Sequence, residues 1–497
     1  MAFVQNVPFL CIMVSMVSAV ISSMVPARIA RWWTVFLSAL VAALNVWLLT
    51  FLLQTNESYT YMMGHFPAPW GNELRVGILE ALMTIVFSIT ILASALGGMD
   101  KQQSQISRPK QNLFSVMLDL ILAGMISMLY TNDLFTGYVF IEIMTLASCV
   151  LIMARQNGRT MVSATRYMIM SLLGSGLITI AITITYSLTG HLLMENIHES
   201  MAALHASGEY EVPITVVVGL FFVGIGIKSA LFPFHTWLAD AYSYSTPSAS
   251  SILSSVVSKT YIFLLIKILY RTIGFEIIQE NRVLQIMFVF GIVAMMAGSI
   301  DAIGSNDLRR MCAFSSVAQI GYIYAGMGLK LEAGFVAALY HMLVHSLAKS
   351  SMFIAASALS DVSGDSKRFS DLRGAGYRHK MAGVCFSVSA MSIVGIPPLG
   401  GFISKLYFGQ AAFAYGGAHQ WIMLLALAVS SLLNVLYFMR TVITLYRPPR
   451  SDFQLPEHRP SRRADIAMCM MTAANLLAGF LAQPIVDLIS RGLAMFV

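Results

Sequence analysis

Charge is what this 497-residue chain lacks. Only 11% of it is Asp, Glu, Lys or Arg, against 57% hydrophobic residues, where a soluble domain carries about a quarter charged residues. So few charges cannot solvate a globular surface of this size, which excludes a soluble enzyme, a nucleic-acid binder and a disordered chain. The formal charge of +7 does not reopen nucleic acid, because the basic residues form no compact patch. Cysteine is scarce too. Cys11, Cys149, Cys312, Cys385 and Cys469 are odd in number and never stand at CxxC spacing. No disulfide framework, zinc site or iron–sulfur cluster is expected, and each reads as a small packing residue. A Gly-rich dinucleotide loop and a long extramembrane domain are also missing, so the expectation is no cofactor and no redox site of the chain's own. The start, MAFVQNVPFLCIMVSMVSAV, has no positive n-region and no A-x-A site, and reads as a first spanning helix.

What is present is a series of apolar runs. About 20 such residues cross a bilayer, and runs that qualify lie near 7–24, 32–53, 75–98, 113–130, 134–154, 164–188, 213–232, 248–270, 283–303, 309–328, 334–357, 382–413, 420–446 and 466–490. This is an all-α polytopic membrane protein with about 14 transmembrane helices. The twelfth run is too long for one crossing and contains GIPPLGG, where Gly395, Pro397 and Pro398 should break it. The seventh should break similarly at Pro233.

Lysine and arginine alternate by connection. The odd-numbered connections, including Arg450 and Arg459 in the last of them, hold 20 of the 31, and the even-numbered ones with the C-terminus hold 5. That bias puts the odd connections in the cytoplasm and both termini outside. The loop at 189–212, with Glu195, Glu199, Glu209 and Glu211 and no Lys or Arg, then faces outward.

Six basic residues fall inside spans, where a charge costs about 2.5–3.5 kcal/mol on insertion scales. Lys267 and Arg440 lie close to helix ends, and snorkelling accounts for both. Lys259 is roughly 16 Å from either end of its span, beyond the reach of a lysine stem. His341, His345 and Lys349 repeat every four residues and line one helix face over about 12 Å. A proton relay, neutral packing histidines and a metal site are the three readings. Metal is the weakest, since no Cys or carboxylate accompanies the row and Lys349 repels a cation. Glu142, eight residues into the fifth span, needs a cationic partner or a proton. Lys228 precedes one helix break and Lys405 follows the other, a placement that suggests an inverted repeat with ion sites at the breaks. Glu80 reads as interfacial. For Asp119 a structural hydrogen bond and an accessory proton site stand as equals.

Five motifs in order then resemble a known family. They are NDLFTGYVFIEIMTLAS (132–148), GIGIKSALFPFHTWLADAYSYSTPSASSILSSVVSKT (224–260), NDLRRMCAFSSVAQIGY (306–322), LYHMLVHSLAKSSMF (339–353) and GIPPLGGFISKLYF (395–408). Together they resemble the antiporter-like subunits shared by respiratory complex I, Mrp-type Na+/H+ antiporters and membrane-bound hydrogenases. The resemblance implies two inverted five-helix repeats with broken seventh and twelfth helices. It divides the chain into 1–112 (helices 1–3), 113–270 (first repeat), 283–446 (second repeat) and 447–497 (cytoplasmic loop and last helix). It also implies roles. Glu142 pairs with Lys228, Lys259 bridges, His341, His345 and Lys349 relay, and Lys405 ends the row.

Lys405 and the lack of a long lateral helix make the chain most similar to the D-type component of an Mrp antiporter or its hydrogenase counterpart. Ala239 replaces a proline usual in the family, which bears on the shape of the loop after the seventh helix. The function implied is proton translocation within a hetero-oligomeric complex in the cell's inner membrane, with H+ and, for an antiporter, Na+ as the ions. Two alternatives stand beside it. One is a pumping subunit of a quinone reductase or energy-converting hydrogenase. The other is an integral-membrane enzyme using His341 and His345.

Overall fold

The computed structural model describes residues 3–66, 71–448 and 461–496. The basic positions Arg450 and Arg459 counted above lie outside them. In lipid every backbone N–H and C=O must be paired within the protein, and apolar runs without strand partners meet that demand only as helices. The first three are α1 (Val7–Met24), α2 (Ala27–Thr55) and α3 (Ile78–Gly97), the last two joined through an antiparallel pair, β1 (Tyr59–Met62) and β2 (Glu73–Val76). Next come α4 (Gln111–Tyr130), α5 (Leu134–Met153), α6 (Gly158–Thr189), α7 (Met194–Ser207), α8 (Glu211–Ser229) and α9 (Thr236–Tyr244). A helical stretch interrupted at Gly274 (φ 102°, ψ 137°), α10 (Pro247–Glu280), is followed by α11 (Val283–Gly304), α12 (Leu308–Gly328) and α13 (Glu332–Asp361). The chain closes with α14 (Lys380–Val394), α15 (Gly400–Tyr415), α16 (Gly417–Leu445), α17 (Arg462–Phe480) and α18 (Ala482–Ala494).

All fourteen apolar runs are helical. By length and apolar composition eleven helices qualify as spans among the described residues, or twelve with α17 and α18 taken together. The count of fourteen is not reached by that measure. Polar Ser315, Ser316 and Gln319, all buried, dilute α12, and the twelfth run is split into α14 and α15. The fourteenth run is not straight. It bends by 81° between α17 and α18, where Pro484 lacks an N–H and its ring would strike the carbonyl four residues back. The expected loop at 189–212 is largely helix α7, whose Met194, Ile197 and Met201 are buried against the protein.

Two breaks set the architecture. Helix α8 ends at Ala230, which is left-handed at φ 61°, and the chain resumes as α9 only at Thr236. Helix α14 ends at Gly395, with φ +92°, and α15 starts five residues on. Both breaks contain a proline that cannot continue a helix.

The two halves repeat a local clasp. Asp133 caps α5 by accepting from the Thr136 N–H at 2.6 Å, and Asp307 caps α12 by accepting from Arg310 N–H at 3.0 Å. Each lies in the tripeptide Asn-Asp-Leu. In the first, Leu134 N–H donates to Leu192 O (3.0 Å) and Met194 N–H to Asn132 O (2.9 Å). In the second, Leu308 N–H donates to Lys367 O (2.9 Å) and Phe369 N–H to Asn306 O (3.2 Å). Five crossings separate the two clasps, an odd number, so the halves run in opposite senses through the bilayer.

Helix α10 lies at the centre. The whole of its most apolar window is buried, and π-turns at Leu253–Val257 and Ile268–Gly274 shift its register on either side of Lys259 and Lys267.

Candidate functional site

The basic residues singled out within the spans lie inside the protein, Arg440 apart. Lys228, Lys259, His341, His345 and Lys349 are at most 3% exposed, and Lys405 is half-buried. Lys228 projects from the last turn of α8, where the helix break frees carbonyls that favour a cation. Its Nζ donates to Glu142 Oε1 at 3.3 Å and to Thr145 Oγ1 at 2.9 Å, so one turn of α5 supplies both partners. Ser175 of α6 donates to the same Glu142 oxygen. The Glu142 side chain keeps 26% of its surface exposed, whereas Lys228 keeps none. The pair therefore reaches from the interior to the protein's flank.

From there polar groups continue inward. Thr145 Oγ1 lies 3.2 Å from the Tyr261 hydroxyl, and the Lys228 ammonium sits 5.7 Å from the Tyr261 ring centroid. Tyr261 shares α10 with Lys259. The Lys259 Nζ donates to Ser254 O, freed by the π-turn, and to Ser258 Oγ at 3.3 Å.

Helix α13 carries the next members. Lys349 Nζ donates to Cys312 O at 2.8 Å and to Ser315 Oγ. The rings of His341 and His345 stack with centroids 5.9 Å apart. His341 Nδ1 is 2.9 Å from Ser404 Oγ, and its ring stacks on Tyr322 at 5.5 Å. Both His345 nitrogens, His341 Nε2 and both polar atoms of Gln319 are buried with no hydrogen-bond partner among the described residues. Groups of that kind are normally satisfied by water or an exchanging proton donor.

Lys405 closes the row on α15. Its Nζ donates to Val394 O at 2.6 Å, one of the carbonyls left open by the break, and to Ser431 Oγ at 2.9 Å. It also lies 5.5 Å from the Tyr322 ring centroid. Gly395 makes this seat possible. A Cβ there would come within 3.0 Å of Lys405 Cδ. Among the described residues Lys228 alone of the four lysines in the row has a carboxylate within ion-pair distance, and no three His, Cys, Asp or Glu converge as a metal set.

Two expectations need correction. Lys267 does not snorkel, because it is fully buried, donates to Leu129 O at 2.6 Å, and stands 3.6 Å from Glu80. Glu80 is not at an exposed helix end, because α18 packs on the start of α3, with Gly492 against Leu79, and Glu80 is 1% exposed. Asp119, for which two readings stand as equals in the sequence, makes structural hydrogen bonds. Ser18 and Ser22 donate to its Oδ2 at 2.7 and 2.8 Å, and Thr34 to its Oδ1 at 2.8 Å. Arg440 stays at the rim, donating to Ile303 O at 3.3 Å. Arg309, counted with the loop charges, is 2% exposed and holds Tyr242 O and Ser245 O at 3.1 and 2.9 Å.

The family model for NADH:quinone oxidoreductase/Mrp antiporter transmembrane proteins matches residues 131–434. The chain belongs to this family. Glu142, both broken helices and Lys405 all fall within the matched stretch, while Glu80 and Asp119 fall outside it.

Its relatives include the N-type subunit of the NADH-quinone oxidoreductase of Desulforudis audaxviator, 33% identical over 398 residues, or 79% of this chain and 76% of that protein. The D-type subunit of the Na+/H+ antiporter of Alkalihalophilus pseudofirmus is 25% identical over 425 residues, 85% of this chain and 83% of that one. Among solved structures, a chain of the membrane-bound sulfane sulfur reductase, an archaeal respiratory membrane complex, superposes with a TM-score of 0.87 at 21% identity, over 99% of this chain and 98% of that one. The chain is thus an antiporter-like, multi-pass membrane subunit.

Proposed function

We propose that this chain carries protons sideways through the membrane interior, along Glu142, Lys228, Lys259, the His341–His345–Lys349 face and Lys405. It does so as one subunit of a hetero-oligomeric complex, most like the D-type component of an Mrp-type Na+/H+ antiporter. The observation behind this reading is the enclosure of four lysines and two histidines on four helices (α8, α10, α13 and α15), with the single carboxylate of Glu142 on α5 among them. Permanent charges so placed would be costly. Amines and imidazoles that take up and release protons in turn avoid that cost, and histidine does so near neutrality. A proton reaching Glu142 neutralises it and weakens its hold on Lys228. Lys228 can then pass a proton inward past Thr145 and Tyr261, toward Lys259 and the stacked histidines. Ser404 stands between His341 and the Lys405 end.

The 33% identity to an N-type relative favours a second reading, a proton-pumping membrane arm of a quinone reductase. Proteins that co-purify in mild detergent distinguish the two assemblies. We place the odd connections in the cytoplasm and both termini outside, across the plasma membrane, on the basis of the charge bias. Proton movement is tested in proteoliposomes holding the assembled complex. Lys228→Ala abolishes it while the complex still assembles, and undiminished transport by the variant refutes the reading.

A further inference from the structure

The chain contains a second buried lysine–glutamate pair that the lateral row does not use. Glu80 of α3 and Lys267 of α10 face each other at 3.6 Å, with side chains 1% and 0% exposed. The sharing is incomplete. Lys267 Nζ donates to Leu129 O at 2.6 Å, whereas Glu80 Oε2 is buried with no hydrogen-bond partner among the described residues. A fully ionised carboxylate whose only role was structural would have its oxygens saturated. Asp119, with three hydroxyl donors, shows what that looks like in this same protein.

The position of the pair matters as much. Lys259, Lys267 and Arg271 stand at i, i+8 and i+12 on α10, one face of the helix over about 18 Å. Arg271 Nε donates to Asn132 Oδ1 at 2.8 Å, and its Nη2 reaches Glu195 at 3.5 Å. The Glu195 side chain is 60% exposed. A polar neck therefore leads from the buried pair to the surface that carries α7. On the inner side, α3 and α4 both pack along α10. They contribute Ser88 and Ser127, whose buried hydroxyls have no hydrogen-bond partner among the described residues.

We propose that Glu80 and Lys267 form a proton outlet that branches from the lateral row at Lys259 and opens at Glu195. This rests on the transport reading above and extends it to a direction across the membrane. In the step itself, a Lys267 N–H bond breaks and a Glu80 O–H bond forms, leaving a neutral amine beside a neutral acid. Glu80 then releases its proton to water in the neck, and the Lys267 amine takes the next proton from the inner side. Arg271 does not carry protons. Its fixed charge orients Asn132 and Glu195 and repels a proton returning from the surface.

The test is Lys267→Arg in the assembled complex, reconstituted in proteoliposomes beside the wild type and Lys228→Ala. Arginine keeps the charge and can still donate to Leu129 O, but it cannot give up a proton. The expected result is normal assembly with turnover per assembled complex down on the order of 100-fold, the scale of a lost proton-transfer group. Glu80→Gln should match it, with Glu80→Asp recovering part of the rate. Normal turnover for Lys267→Arg, or fewer assembled complexes each working at the full rate, overturns the outlet and makes the pair a structural tie. Loss in Lys228→Ala alone leaves the lateral relay standing without this branch. A wild type that moves no protons removes the transport reading and the outlet with it. If Glu80→Gln fails to assemble, Lys267→Arg still decides.

Discussion

The imidazoles of His341 and His345 lie within 5° of parallel, with centroids 5.9 Å apart, one helical turn from each other on α13. Parallel rings at that separation do not hydrogen-bond directly, so a proton moving between them needs an intermediate carrier. Replacing His345 with glutamine, which holds the volume but not the titration, should slow transport per assembled complex on the order of 100-fold. If the histidines only pack, His345→Gln together with Lys349→Ala lowers the amount of complex and leaves its turnover normal.

Glu142 and Lys228 should behave as a unit. Groups in direct contact show coupling of ~0.5–3 kcal/mol in a double-mutant cycle, and losing one member of a buried pair leaves the other uncompensated. Glu142→Gln and Lys228→Ala are therefore expected to be non-additive in the free energy obtained from turnover. Additivity within about 0.5 kcal/mol would mean that the two side chains do not act on each other during transport.

The Gly395 backbone is left-handed at φ +92°, and an added Cβ would press on the Lys405 stem at 3.0 Å. Gly395→Ala should destabilise the protein by ~1–2 kcal/mol from backbone strain alone and slow transport by displacing Lys405. Gly409→Ala, on the same helix as Lys405 with its nearest neighbour atom at 3.8 Å, is the matched control and should leave both nearly unchanged. Thermal midpoints and turnover of the pair check this.

Outside the spans, Lys367 is pushed down to about 7, first by burial and then by the nearby charge of Arg309, with Arg155 and Arg159 adding to it and Asp307 opposing. Its Nζ donates to Ser243 O at 2.6 Å. An unfolded lysine holds its proton up to about 10.4. Between those two values the unfolded chain binds a proton that the folded chain does not, so stability rises with pH across that window. Below about pH 7 the burial cost is present in full. Thermal midpoints of wild type minus Lys367→Met should therefore increase from about pH 7 to about pH 9. A flat difference would show that the Lys367 environment does not discharge it.

Much of this is legible in the chain. The breaks near Lys228 and Lys405 follow from proline and glycine inside apolar runs, because those residues act locally on the backbone. Lys259 can be placed in the interior because no rotamer reaches 16 Å, roughly eleven residues of helix. Lys267 is misplaced by the same kind of reasoning. Its nearness to the end of the run is real, since the backbone leaves the helix at Gly274 with φ 102° and ψ 137°, but the Leu129 carbonyl and Glu80, both distant in sequence, close over it. Glu80 is misplaced because its depth is counted along one helix. What covers it comes from elsewhere in the sequence, notably α18, where Gly492 lets Leu79 approach so closely that a Cβ would meet it at 2.6 Å. The hydroxyls around Asp119 lie about a hundred positions away in sequence, beyond any local pattern.

The enclosure of α10 has a consequence for how the protein is made. A segment bearing Lys259, Lys267 and Arg271 meets an insertion cost of up to ~2.5–3.5 kcal/mol for each charge held at the bilayer centre. Chains enter the membrane from the N-terminus onward, so Glu80, the Leu129 carbonyl and Asn132 are already in place when residues 247–280 leave the ribosome. Partners for Lys267 and Arg271 thus wait for the helix. Lys349 and the histidines of α13 arrive only later, so Lys259 first settles on the Ser254 carbonyl of its own helix. The axle of the molecule is therefore threaded into a half-built sleeve, and biogenesis depends on the first four helices being correctly assembled before it emerges.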